Sequence, residues 1–351
     1  MKSFFKIILS LLLCFSADVF AQNITDTNTD KASASNSEHT TDSFVAKDAK
    51  EVGVDPLEDI KNRAAAGDVE AQLNLGYMYL YGKDGVTVDY KQALAYYSAA
   101  AEQNSAVAYN NLGSLYFNGV GTDVDYFKAI DYFKKATELG SHDAAVNLSI
   151  IYLNSATKIN TKDDYKTIIS LLEQAQSDND IAKYLLGYAY YKGFVVAQNY
   201  RKAFALIKKA ADAQYDEAQY VLAELYIKGL GTTKNYNRAI QYLQAAADQG
   251  NPPAIMLLAD ILAEGKIYTQ DIKKAHVLYN ISAVMGENDA AEKRDALEKN
   301  LKIEDLLEIQ ATAENYKAEP SAQTTFIRQT YGDSLKVYID NNLQATQQLQ
   351  Q

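Results

Sequence analysis

Residues Ala108 to Gly140 read AYNNLGSLYFNGVGTDVDYFKAIDYFKKATELG, and this frame returns along the chain. Each copy opens with Ala, has Leu four residues later and usually has Tyr after four more. The six anchors are Ala71-Leu75-Tyr79, Ala108-Leu112-Tyr116, Ala144-Leu148-Tyr152, Ala182-Leu186-Tyr190, Ala218-Leu222-Tyr226 and Ala254-Leu258-Leu262. Their first residues are 36 to 38 positions apart. Because a spacing of four places apolar groups on one helical stripe, and repetition at this period marks stacked units, the sequence predicts an α-solenoid.

Each predicted unit contains two helices joined by a loop. Glycines that suit a left-handed cap end the first helix at Gly82, Gly119, Gly193, Gly229 and Gly265. The second helix is predicted to be capped at its start by Asp89, Asp125, Asp164, Asn199, Asn235 and Asp271. It is predicted to stop at Asn104, Gly140, Asn179, Gln214, Gly250 and Gly286. Gly76, Gly113 and Gly187 follow the Leu in three copies. Since glycine costs roughly 1 kcal/mol against Ala inside a helix, we expect another helix to approach closely there.

The pattern A-x-x-x-L-G-x-x-Y-x-x-G-x-G, continued by D-x-x-K-A and A-A-x-x-G, resembles the Sel1-like repeats, which are related to the tetratricopeptide repeats. The resemblance covers roughly Asp55 to Lys317. It implies an all-α, right-handed solenoid of about six helix-turn-helix repeats, here at 71–289. The third copy departs from the pattern because its loop between Tyr152 and Asp164 is longer and lacks the glycines. That insertion is either a surface bulge or a local contact element.

The chain begins with features of a secretory signal. Lys2 and Lys6 precede an apolar run, and Val19-Phe20-Ala21 suits a cleavage site before Gln22, so residues 1–21 are predicted to be a signal peptide. Cys14, the only cysteine, would leave with the signal and no disulfide could form. Residues 22–54 are polar and are predicted to be a disordered tether.

Helical segments are predicted on both sides of the repeats. Residues 55–70 form an N-terminal capping helix, residues 290–317 form C-terminal capping helices, and residues 318–351 form an amphipathic helix. In this last segment a heptad spacing is followed by Tyr331, Leu335, Tyr338, Asn342, Ala345 and Leu349. The segment either packs on the array or forms a short coiled coil through 326–349, by which the chain would self-associate.

Composition and motifs argue against several functions. The net charge is −11 and no basic cluster occurs, which argues against nucleic-acid binding and against polybasic attachment to a membrane. His39, His142 and His276 share no metal-type motif, and no nucleophile elbow or H-E-x-x-H occurs. We therefore expect no catalytic residue, cofactor or metal, and the protein is predicted not to be an enzyme.

A binding surface is predicted on the first helices, at positions two, six and nine residues after each anchor Ala. This surface, called the first-helix face below, points away from the anchor stripe and in such solenoids lines the concave wall. The predicted partner-binding residues are Tyr184, Tyr188, Tyr191, Tyr77, Asn110, Ser114, Phe117, Tyr220, Glu224 and Asp260. The tyrosines of the fourth repeat are the strongest candidates, since tyrosine combines a broad apolar ring with a polar tip. The alternative is that the face is core, because first helices touch neighbours on both sides.

The resemblance implies a role in protein complexes. With the signal peptide, it predicts a secreted scaffold that is periplasmic or outer-membrane associated. The short signal and the absence of disulfides favour a Gram-negative bacterium, in which the protein would be secreted across the inner membrane. Its partner would be another envelope or host protein, and its role would be to support envelope integrity or host interaction. The alternative is an envelope enzyme or enzyme subunit that acts on cell-wall material.

Overall fold

The computed structural model describes residues 55–153, 162–299, 301–332 and 334–350, except for the side chains of 162–164 and 344–350. Within these ranges the chain forms seventeen α-helices and no β-strand, so the predicted all-α fold is confirmed. The described residues fall into two compact units, one ending at residue 153 and the other beginning at residue 162. The predicted signal peptide, the tether and most of the long loop of the third copy lie outside the described residues.

Six helices form the unit that ends at residue 153. They are α1 (Pro56–Ala65), α2 (Val69–Tyr81), α3 (Tyr90–Glu102), α4 (Ala106–Asn118), α5 (Tyr126–Glu138) and α6 (His142–Leu153). Each helix packs on the next along the chain, which is the nearest-neighbour arrangement of a repeat array. The anchors Ala71, Leu75, Ala108 and Leu112 are buried in this stack. Helix α1 lies in the range predicted for the N-terminal cap.

Eleven helices form the unit that begins at residue 162. They are α7 (Lys162–Ala175), α8 (Asp180–Lys192), α9 (Tyr200–Asp212), α10 (Asp216–Lys228), α11 (Tyr236–Asp248), α12 (Pro252–Glu264), α13 (Ile272–Val284), α14 (Ala290–Glu298), α15 (Ile303–Glu314), α16 (Ala322–Tyr331) and α17 (Lys336–Gln350). Helices α7 to α13 stack in chain order, and α14 and α15 both pack on α13. Helix α17 returns to pack on α7 and α8. The predicted amphipathic segment is thus two helices, separated at Gly332, where φ is +94°.

The cap predictions are largely confirmed. The side chains that accept hydrogen bonds from the first backbone amides of the second helices are Asp89, Asp125, Asn199, Asn235 and Asp271. The prediction for Asp164 is wrong, because α7 begins at Lys162 and includes that residue. All five predicted glycine ends of first helices are left-handed, with φ between 64° and 71°. At the ends of the second helices, Gln214 is left-handed with φ 66°, whereas Asn179 has φ −97° and instead caps α8.

The glycines inside the first helices lie where a second helix approaches closely. A Cβ atom on Gly113 would lie 2.9 Å from the ring of Phe133, and one on Gly76 would lie 2.6 Å from the ring of Tyr97. Both rings belong to the second helix of the same repeat. The predicted close approach is therefore confirmed. None of the described helices combines the length and the apolar character that a bilayer span requires.

Candidate partner-binding face

The predicted residues of the unit that begins at residue 162 lie on the first helices of three successive repeats. They are Tyr184, Tyr188 and Tyr191 on α8, Tyr220 and Glu224 on α10, and Asp260 on α12. Tyr184 is 0% exposed and Tyr188 is 4% exposed, whereas the other four are half-buried. Part of this face is covered by the chain itself. We call the described residues from 316 to 343 the C-terminal segment.

Tyr188 contacts the C-terminal segment directly. Its phenol donates to Oδ1 and Oδ2 of Asp340 at 3.0 and 3.1 Å. Lys192 Nζ lies 3.5 Å from the same Asp340 Oδ1. Burial, and then the Asp340 carboxylate, raise the pKa of Tyr188, so its hydroxyl keeps its proton and acts as the donor.

Glu217, which is 3% exposed, holds the start of α17. Its Oε2 accepts hydrogen bonds from the backbone N of Leu335 at 3.0 Å and of Lys336 at 3.3 Å. The phenol of Tyr215 donates to the same oxygen at 2.7 Å, and Ser334 donates to Oε1. The first amides of a helix have no partner within the helix, so this carboxylate from α10 acts as an N-cap residue does. Burial raises the pKa of Glu217, and the Ser334 hydroxyl and the Lys336 charge oppose that shift.

Asp216 holds the other helix of the segment, α16. Its Oδ2 pairs with Nη2 of Arg328 at 2.6 Å and accepts from Nδ2 of Asn251 at 2.9 Å. Its backbone N donates to the hydroxyl of Thr324 at 3.1 Å, and Thr324 donates to Oε1 of Gln249 at 2.6 Å. Two adjacent buried carboxylates therefore bind the two helices of the C-terminal segment.

Tyr184 lies in an aromatic cluster beneath these contacts. Its ring centroid is 5.0 Å from that of Tyr215, in an edge-to-face arrangement, and 6.0 Å from that of Tyr188. Among the described residues no hydrogen bond of good geometry reaches its hydroxyl. Burial, and then the nearby carboxylate of Glu217, raise its pKa well above the ordinary value. Tyr184 is therefore part of the core under the face and is not itself accessible.

The other tyrosines and acids of this unit contact side chains of their own chain. Nζ of Lys336 lies 5.0 Å from the ring centroid of Tyr220, a cation–π contact with the C-terminal segment. Lys228 Nζ donates to the hydroxyl of Tyr191 at 3.4 Å and pairs with Glu224 at 2.7 Å.

Asp260 is engaged by elements beyond its own helix. Its Oδ1 accepts from the phenol of Tyr279 at 2.7 Å, and Nζ of Lys293 on α14 lies 2.7 Å from the same oxygen. This end of the face is therefore joined to the helix in the predicted C-terminal cap.

The predicted residues of the other unit are Tyr77 on α2 and Asn110, Ser114 and Phe117 on α4. Nδ2 of Asn147 donates to Oδ1 of Asn110 at 2.9 Å, which links α6 to α4. The hydroxyl of Ser114 donates to the carbonyl of Asn110 at 3.2 Å. Asn110 and Ser114 are buried, while Tyr77 and Phe117 are half-buried, and Phe117 packs edge-on against Tyr126 at 5.3 Å. Tyr77 and Phe117 are the more accessible members of this set.

Sequence reasoning missed Asp216, Glu217 and Gln249, which make the strongest polar contacts with the C-terminal segment. The available signal was the acidic pair directly before the anchor Ala218, since the other five anchors are not preceded by two acids. Nothing in the sequence indicated which basic residues would pair with them, because Arg328 follows Asp216 by 112 positions.

The described contacts of this face are aromatic, ionic and hydrogen-bonding contacts with other parts of the same chain. Nowhere in the described parts of the chain do three His, Cys, Asp or Glu side chains come together as a metal site. His276 is buried, with Glu298 at 3.4 Å and Asn280 at 3.3 Å. The paired carboxylates of Asp216 and Glu217 are both occupied by donors from the C-terminal segment.

The Sel1 repeat family matches the sequence at residues 69–105, 106–141, 180–215, 216–251 and 252–286. The chain belongs to the Sel1 repeat family. Five of the six predicted repeats are matched, and the one left out is the third, whose loop departs from the pattern. Sel1 repeat proteins generally act as scaffolds for protein–protein interactions and are typically not enzymes.

Solved structures show the same fold. The Sel1 array is similar to a protective antigen of uropathogenic Escherichia coli strains that displays an SLR fold, with a TM-score of 0.67 and 24% identity. That match covers 82% of this chain and 62% of the antigen, so this chain spans less than two thirds of the antigen's length. A Sel1 repeat protein from Oxalobacter formigenes matches with a TM-score of 0.55 and 26% identity over 65% of this chain and 90% of that one. A comparison with curated protein sequences finds no match.

Proposed function

We propose that this protein is an interaction scaffold of a bacterial cell envelope, and that its first-helix face binds an envelope or host protein. The observation that carries the proposal is the C-terminal segment itself. The face and the adjacent acidic pair, Asp216 and Glu217, already hold a polypeptide through aromatic rings, buried carboxylates and backbone amides of the bound segment. A surface with this chemistry suits a second polypeptide better than a small substrate.

The envelope part of the proposal rests on the predicted signal peptide. Lys2 and Lys6, the apolar run and the small residue Ala21 together favour export. Fractionation of a bacterium that expresses the full chain should place the protein in the periplasm or with the outer membrane. Its N-terminus should be Gln22. Retention of the protein in the cytoplasm with Met1 in place would contradict this part.

Site-specific photo-crosslinking tests the binding part. A photoreactive phenylalanine analogue replaces Phe117 or Tyr191 on the first-helix face, or Phe127 as the matched control on the second helix α5, where the side chain is strongly exposed. In intact cells we expect a discrete crosslinked product of this protein with its partner from the variant at position 117, from the variant at position 191, or from both. We expect no such product from the variant at position 127. Equal products at all three positions, or none on the first-helix face, would contradict the proposal.

A further inference from the structure

We propose that the C-terminal segment is an intramolecular ligand of the first-helix face, and that the partner presents the same determinant. That determinant is the N-terminal turn of an amphipathic helix with a basic residue at the turn and an acidic residue one turn later. The inference rests on the proposed function, since it names the class of partner for the same face.

The first part of the determinant is the start of a helix. Glu217 accepts hydrogen bonds from the backbone amides of Leu335 and Lys336 and from the hydroxyl of Ser334. Any helix N-terminus that is preceded by Ser or Thr would offer the same donors. The basic side chain of Lys336 then reaches 4.0 Å from Glu217 Oε1 and lies over the ring of Tyr220. The carboxylate and the ring thus favour a cation at this position.

The second part lies one helical turn further on. Asp340 follows Lys336 by four residues, so the two side chains lie on the same side of α17. The phenol of Tyr188 and the ammonium of Lys192 meet the Asp340 carboxylate. Leu335 and Ile339 are likewise four residues apart, and both are fully buried. The stretch SLKVYID at 334–340 therefore carries the whole determinant.

The receptor belongs to one repeat only. The two residues before the anchor Ala are Asp216 and Glu217 in the fifth repeat, whereas the other pairs contain at most one acid. These pairs are Val69-Glu70, Ala106-Val107, His142-Asp143, Asp180-Ile181 and Pro252-Pro253. A helix start is thus recognised at this place and not along the whole array.

Several features of the C-terminal segment would allow a partner to displace it from the face. It follows the last matched repeat, which ends at residue 286, so the repeats themselves do not include it. Its buried apolar side chains are Ile327, Leu335 and Ile339, and the other residues that hold it on the array are polar. Docking of the segment removes water from the Glu217 carboxylate. The free-energy cost of this desolvation offsets part of the attraction between the carboxylate and its hydrogen-bond donors. A partner with the same determinant can therefore compete for the face.

Thiol labelling of the full chain in a Cys14→Ser background measures this exchange, because Cys14 is its only cysteine. Ile339→Cys places a thiol at a site that is 0% exposed, and Val337→Cys places the control on the same helix at a site that is 44% exposed. We expect a maleimide to modify Ile339→Cys roughly tenfold or more slowly than Val337→Cys. A synthetic peptide of residues 321–343 should accelerate the reaction of Ile339→Cys saturably and leave that of Val337→Cys unchanged.

Peptide variants test the determinant. We expect the acceleration to be lost with a scrambled peptide and with a peptide that carries K336A and D340A. The chain with Arg328→Ala should bind the wild-type peptide about tenfold more tightly, because its own segment is a weaker competitor. Fluorescence anisotropy of the labelled peptide gives the same affinities on the unsubstituted chain, so the result does not depend on whether Ile339→Cys folds.

Two results would overturn the inference. One is no binding of the peptide to either the unsubstituted chain or the Arg328→Ala chain, which would make the segment a fixed part of the fold. The other is equal labelling of Ile339→Cys and Val337→Cys in a folded chain. Crosslinks at position 117 or 191 without peptide exchange would defeat this inference alone. Peptide exchange without any crosslink in cells would defeat the proposed scaffold function instead.

Discussion

Gly113 illustrates how a single residue sets the distance between two helices. A Cβ atom there would lie 2.9 Å from the ring of Phe133, so Gly113→Ala must push the ring or the helix away. The substitution gains roughly 1 kcal/mol of helix propensity, and overpacking costs roughly 1–3 kcal/mol. We expect a net decrease of about 1 kcal/mol in the free energy of unfolding, measured by urea titration and circular dichroism.

A double-mutant cycle provides the control for this prediction. Phe133→Leu alone removes buried aromatic contacts, but it also clears the space that the added methyl group of Gly113→Ala would need. The double variant should therefore lose less stability than the two single variants combined. Strict additivity would show that the close contact between Gly113 and Phe133 does not limit the packing of α4 on α5.

Glu217 makes docking of the C-terminal segment depend on pH. Burial raises its pKa above the ordinary 4.5 in the docked state, and the charge of Asp216 adds to this rise. The hydroxyls of Ser334 and Tyr215 and the charge of Lys336 oppose it. On release, water replaces the segment at Glu217 and we expect its pKa to fall back toward 4.5, so the docked state should bind the proton more tightly than the released state. This contribution is fully present below the released-state pKa and is lost as pH rises through the docked pKa. We therefore expect the segment to be released more readily as pH rises.

The ratio of maleimide labelling rates at Ile339→Cys and Val337→Cys measures this release, since the ratio cancels the titration of the thiol itself. It should rise as the pH is raised above 4.5, the ordinary pKa of a glutamate. In the Glu217→Gln variant, where the titrating group is absent, the ratio should stay flat over the same range. A ratio that falls with pH, or one that changes equally in both chains, would contradict the assignment to Glu217.

At the scale of helices, the predictions that succeeded depend on neighbouring residues. The cap at Asn199 and the left-handed end at Gly193 are fixed by side chains within a few positions, and the repeat supplies the same signal several times. Asp164 failed because the loop before it has a different length. The contact of Glu217 with Leu335 spans 118 positions. The heptad pattern around Leu335 predicts an apolar stripe but not the surface that covers it. Sequence analysis therefore left open whether the segment packs on the array and whether the first-helix face is core.

The capping role of the residue that precedes a second helix can be tested on α11, where two asparagines lie close together. Asn235 precedes the helix and accepts a hydrogen bond from Arg238 N at 3.0 Å, while Asn237 lies exposed in the first turn. Asn235→Ala should lower the free energy of unfolding by about 1 kcal/mol. Asn237→Ala should leave it unchanged or raise it slightly, because Ala has the higher helix propensity. Equal losses, measured by thermal denaturation, would rule out capping as the cause.

For the unit that begins at residue 162, the C-terminal segment adds a second kind of connection. In a repeat array each helix pair contacts only its neighbours, as α7 to α13 do here. The segment instead runs across several of them. Tyr316 donates to the Ala247 carbonyl at the end of α11, Arg328 pairs with Asp216 on α10, and Asp340 meets Tyr188 on α8. A change at one of these anchors should therefore affect helices at the others.

Thr324 offers the sharpest test of this coupling. Its hydroxyl accepts from Asp216 N and donates to Gln249, so Thr324→Val removes both bonds while keeping the side-chain shape, at a cost of roughly 1–3 kcal/mol. Thr325→Val, the adjacent substitution of the same type, is the control. By hydrogen exchange we expect Thr324→Val to accelerate the amides of α17 and of α8 about tenfold or more, while those of α13 keep their rates. Acceleration confined to α16 would mean that the segment does not connect these helices.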